Sequence, residues 1–112
     1  MVKYMLVIFI SLIFINKAIA ASNNLFFTTA QLITFCKSDN NYEQGICDGY
    51  IISVNDVIFS LDKQKVNVCI PPNIPIRKIR LSLISFAIDN AELMSVEANK
   101  MIGRFFLNNF KC

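Results

Sequence analysis

The sequence predicts an all-α fold, a small disulfide-stapled four-helix domain. Three observations lead there. Apolar residues recur at i, i+3, i+4 and i+7 spacing in separate segments, the signature of one helix face. No segment sustains the alternation of a strand, and Val66-Asn67-Val68 is too short to matter. The four cysteines, Cys36, Cys47, Cys69 and Cys112, all lie beyond residue 20, and an even number in a small exported domain implies two disulfides.

The compartment follows from the first residues. Lys3 precedes an uncharged apolar run from Met5 to Ile15, and Ala18-Ile19-Ala20 supplies an A-x-A ending. This is the pattern of a secretory signal peptide cleaved after Ala20. The run falls short of the ~20 apolar residues that cross a bilayer. Residues 1–20 are therefore read as leader and residues 21–112 as one helical domain. Without Lys3 and Lys17, nine basic residues face eight acidic ones, a net charge of +1. That near-neutral balance speaks against nucleic acid or an anionic membrane surface as partner. The 112 residues contain no histidine, which excludes Ser-His-Asp and Cys-His catalysis and imidazole zinc sites. The three glycines form no phosphate loop, and no cofactor or metal is expected.

The helices are placed in order. The first runs from Thr29 to Lys37, capped by Thr28 or Thr29. A polar loop, Lys37 to Tyr42, leads to the second, Glu43 to Leu61. Its face is Cys47, Tyr50, Ile51, Val54, Val57, Ile58 and Leu61, with Ile52 and Phe59 on the polar side. Asp62 to Asn67 is a second polar loop, and Pro71-Pro72-Asn73-Ile74-Pro75 a rigid connector. The third helix starts at Pro75 or Ile76, where a missing N–H costs nothing, and ends near Asp89. Ile76, Ile79, Leu83, Phe86 and Ala87 form its face. Leu81, Ile84 and Ile88 widen the apolar arc, which makes this helix central in a bundle or buried by a partner chain. The fourth runs from Ser95, its cap, to Asn109, with Glu97 in the first turn. Ala98, Met101, Ile102, Phe105 and Phe106 face the core, and Lys100, Arg104 and Asn108 face out.

Topology selects one cysteine pairing of the three that are possible. Cys36 ends the first helix and Cys47 begins the second across a short loop. Cys69 precedes the third helix and Cys112 follows the fourth, so antiparallel helices bring them together. The expected bonds are Cys36–Cys47 and Cys69–Cys112, contributing ~3 and ~4 kcal/mol by loop entropy.

The order of motifs is a leader, Cys36, Cys47-Asp48-Gly49-Tyr50-Ile51, Cys69-Ile70-Pro71, and a helical tail ending Phe110-Lys111-Cys112. It resembles the Rap/Tai family of periplasmic immunity proteins, over nearly the whole exported part. Lys111 stands where the family usually has proline. The resemblance implies a small, stapled helical protein, often a homodimer. Such a protein binds a peptidoglycan amidase effector delivered by type VI secretion and occludes its active-site cleft. It implies a toxin-antitoxin type of pairing, in which the immunity protein needs no catalytic residue and is no enzyme.

Candidate contact residues follow from charge and loop position. The loop Asp62, Lys63, Gln64, Lys65, Asn67 is polar and is a candidate plug. Arg77, Lys78 and Arg80 form a basic cluster, read as a solvated face or as contacts to an acidic partner. Ile52 and Phe59 are read as a dimer seam or as packing under a neighbouring helix. Gly49 and Gly103 are read as points of close helix approach, with Tyr50 filling the core. Two other classes compete with the immunity reading. One is a general periplasmic stress chaperone, for which no histidine offers an acid trigger. The other is a secreted enzyme using Asp48 and Asp56 as acid and base.

Overall fold

The computed structural model describes Val2 and residues 26–61 and 67–112, with 59–61 given by their backbone. The leader assignment and the loop residues Asp62, Lys63, Gln64 and Lys65 lie outside the described residues. Helix α1 is Thr29–Cys36, α2 Asn41–Leu61, α3 Ile76–Asp89 and α4 Ala98–Asn109. A 3-10 turn, Ala91–Ser95, links α3 to α4. Among the described residues there is no strand, only two isolated antiparallel bridges, Thr28 with Glu97 and Val68 with Lys111.

Local chemistry sets the helix starts. Thr28 is the cap of α1: its Oγ1 accepts from Gln31 N, and Gln31 Oε1 accepts from Thr28 N, a complete capping box. Thr29 does a different job. It is fully buried, and its N–H and hydroxyl both donate to Val96 O, at 2.8 and 2.9 Å. With Ala98 N donating to Phe27 O, these bonds tie the start of α1 to the start of α4. Asn40 Oδ1 accepts from Tyr42 N at 2.8 Å, so α2 begins inside the loop, two residues before the expected Glu43. The connector before α3 turns at Asn73, whose φ of 68° asparagine tolerates.

The start of α4 differs from expectation. Ser95 closes the 3-10 turn and is not the cap; Glu97 holds the cap position without a side-chain capping bond, its carboxylate instead accepting from Lys100 Nζ at 3.1 Å. The reason is the pairing of Val96 and Ala98 with the start of α1. It holds Val96 in an extended conformation, with ψ of 153°.

The core lies between the four helices. Leu32, Ile51, Leu83, Met101, Ile102 and Phe105 are wholly or almost wholly buried. All five core residues expected on α4 are buried. Phe105 and Phe106 meet Phe110 at ring-centroid distances of 5.8 and 5.9 Å, and Phe86 joins Phe105 at 5.7 Å. Cys36–Cys47 staples α1 to α2 inside this core, with both cysteines buried. Cys69–Cys112 is exposed. Around it Cys69 N donates to Phe110 O and Cys112 N to Asn67 O. Val68 is buried and forms a single isolated bridge with Lys111, and no strand develops there, as expected.

Some apolar faces are wider than the core. Ile52, Val57, Leu81 and Ile88 are each about half exposed, at 48, 53, 52 and 54%. The glycines are not points of close approach. A Cβ added at Gly45, Gly49 or Gly103 would meet nothing within 4 Å.

Candidate partner-binding surface

The sequence-predicted basic cluster divides. Arg77 and Lys78 are exposed on the first turn of α3. Arg80 turns inward, is 9% exposed, and its Nη1 donates to both carboxylate oxygens of Asp48 on α2, at 2.7 and 2.6 Å. Helical geometry explains the split. Arg80 is one residue from Ile79 and three from Leu83, both buried, so its stem follows the core side. Asp48 is therefore committed to an inter-helix ion pair, and Asp56 is exposed. Asp48 and Asp56 are on this geometry no acid–base pair.

Beside this ion pair runs a groove of about 460 Å³ between α3 and the α1–α2 turn. Lys37, Asp39, Gln44, Arg77, Leu81 and Ile84 line it. A second, more apolar groove of about 300 Å³ lies where α2 passes the start of α4. Tyr50, Val54, Val57 and Ile58 wall it, with Ser53 and Asn99 as polar edges. Tyr50 is half-buried, its ring 5.7 Å from that of Phe27. Burial pushes its hydroxyl pKa up, and hydrogen bonding to the Asn99 backbone works the other way. Tyr50 therefore forms a groove wall, and it neighbours the core without filling it.

Asn67 is exposed, and its carbonyl accepts from Cys112 N. Its neighbours in the expected plug lie outside the described residues. The sequence reading missed one feature: Asp48 as the partner of Arg80 left no signal, because the two are 32 residues apart. The wide apolar arc of α3 is legible in the sequence, and its outer residues Leu81 and Ile88 are exposed.

Among the described residues no group of carboxylates, cysteines or histidines could hold a metal ion. Among them, too, no helix is long and apolar enough to cross a membrane. What the surface offers is open grooves edged by apolar side chains and single charges. The model of the Rap1a immunity proteins matches residues 28–112, from the α1 cap to the last cysteine, and the chain belongs to that family. It is an immunity protein, a binder of a bacterial effector. No curated protein and no solved structure matches it.

Proposed function

We propose that this chain is a periplasmic immunity protein, exported by residues 1–20. On this reading it binds a type VI secretion peptidoglycan amidase, occludes its active site, and works as a homodimer without catalytic activity of its own. The observation that carries the reading is the family match over residues 28–112. The two disulfides suit it, because such bonds persist in an oxidising compartment. Occlusion needs shape and complementary charge and no reactive group. Even a small free fraction of toxin would harm the cell, so the affinity is expected to be nanomolar or tighter, about −12 kcal/mol.

The test mixes the periplasmically expressed chain, disulfides intact, with the product of the adjacent gene. A stoichiometric complex that abolishes peptidoglycan cleavage supports the reading. Absence of a complex, with no amidase encoded nearby, refutes it and moves the chaperone reading forward.

A further inference from the structure

Arg80 is 9% exposed, yet its ion pair with Asp48 uses a single nitrogen. Both bonds to the carboxylate come from Nη1. Nε and Nη2 donate to nothing among the described residues. Neither is sealed off, because Asn55 Oδ1 is the one buried side-chain polar atom without a partner among those residues. The free edge of the guanidinium therefore meets solvent, and Arg80 lines the groove between α3 and the α1–α2 turn. An Nε–Nη2 edge is a planar fork that fits the two oxygens of a carboxylate. Asp48, on Nη1, holds the fork in place.

The rest of the lining suits the same ligand. Lys37 and Arg77 are exposed at the groove and take part in no ion pair among the described residues. Arg77 stands in the first turn of α3, where the helix dipole adds to its positive field. Arg80 and Asp48 cancel, so Lys37 and Arg77 outweigh Asp39, the acidic residue of the lining, by one charge. Leu81 and Ile84 supply an apolar side.

We propose that this groove binds a carboxylate: an acidic side chain of the effector seats on Arg80, with an apolar neighbour against Leu81 and Ile84. Charge selects the occupant. A carboxylate carries one negative charge and matches the single excess positive one. A phosphate, nearer two charges, is repelled more strongly by Asp39. The Arg80 fork is almost out of water, where a charge-assisted bond is strong. Lys37 and Arg77 stand in water and act on encounter, steering an acidic partner inward with an effect that salt screens. The proposal rests on the immunity reading for its partner and adds the groove and the chemistry by which that partner docks.

The probe is the dipeptide acetyl-Glu-Leu-amide, titrated into the isotope-labelled chain with both disulfides intact and followed by NMR. The Nε–H resonance of Arg80 and the backbone amides of Lys37 and Leu81 are expected to move together and saturate. The isosteric acetyl-Gln-Leu-amide should leave them in place. Arg80→Lys keeps a cation for Asp48, loses the fork, and should abolish the shifts at Lys37 and Leu81. Lys37→Gln with Arg77→Gln, both at exposed positions, should leave the melt unchanged. The same pair should slow association with the amidase encoded by the adjacent gene about tenfold at low salt. No response to the Glu peptide overturns the proposal, as does an equal response to the Gln peptide or a stronger one to inorganic phosphate. So does persistence of the shifts in Arg80→Lys. An amidase that binds the double variant as fast as the wild type also overturns it, and leaves the immunity reading standing. A wild type that answers the Glu peptide and binds no amidase refutes the immunity reading and leaves the carboxylate site standing.

Discussion

Replacing Asp48 with asparagine should be among the most damaging polar changes in this domain. The carboxylate sits 2.6 Å from Arg80 Nη1, and the two side chains are 21 and 10% exposed. At that distance and an effective dielectric near 20 the gross attraction is roughly 6 kcal/mol. Desolvating both groups costs several kcal/mol for each, so the net worth of the intact pair is small. Breaking it is another matter. Asp48→Asn leaves a nearly buried guanidinium at the wall of the α3 groove with no counter-charge, which costs about 3 kcal/mol. Arg80→Met keeps the apolar stem and leaves a carboxylate that water can still reach. Its cost should be smaller, about 1–2 kcal/mol. For a domain of this size 1 kcal/mol is about 4–8 °C, so Asp48→Asn should lower Tm by at least about 12 °C. The assay is a double-mutant cycle by thermal and urea unfolding with both disulfides intact, and the double variant should cost less than the sum. An Asp48→Asn loss below about 1 kcal/mol, or a larger loss for Arg80→Met, would refute the reasoning. The pair would then behave as an exposed bridge.

Other outcomes follow from the same geometry. Gly49→Ala and Gly103→Ala should each stabilise by up to about 1 kcal/mol in urea unfolding, since the added Cβ meets nothing and glycine is a poor helix former. Thr28→Ala removes the hydroxyl half of the capping box, leaves the backbone N–H donating to Gln31, and should cost about 1 kcal/mol, read from the same melts. The Glu97 carboxyl is held below the ordinary glutamate range by its own backbone N–H and by Lys100. Its contribution is therefore present above the unfolded pKa and lost as pH falls through the folded one, and Glu97→Gln should flatten the acid limb of the stability profile. Mild dithiol should open Cys69–Cys112, whose residues are exposed, before Cys36–Cys47, whose residues are 3 and 0% exposed; mass spectrometry after alkylation reads the order.

Much of the fold was legible because helices announce themselves locally. The face of α4 repeats at helical spacing, and all five of its expected core residues are buried. Of the two expected caps of α1, Thr28 and Thr29, the structure selects Thr28, and Gln31 completes its box. The disulfides Cys36–Cys47 and Cys69–Cys112 could be reasoned from helix ends alone, since each joins termini that antiparallel packing makes neighbours. The start of α4 misled because its backbone is claimed by Phe27 and Thr29, some 70 residues earlier in the chain.

The sequence by itself determined the helical class, the staples and the absence of histidine chemistry, since composition and short-range periodicity carry these. Only the tertiary structure decided which of three neighbouring cations is structural. Arg77, Lys78 and Arg80 are alike as residues, and the sequence reads them as one cluster. The rotation of α3 against α2 buries Arg80 on Asp48 and leaves Arg77 and Lys78 in water. It likewise decided that Leu81 and Ile88 are uncovered within the chain. An apolar arc states only that something must cover it, and whether its own fold does so depends on the angles at which helices pack.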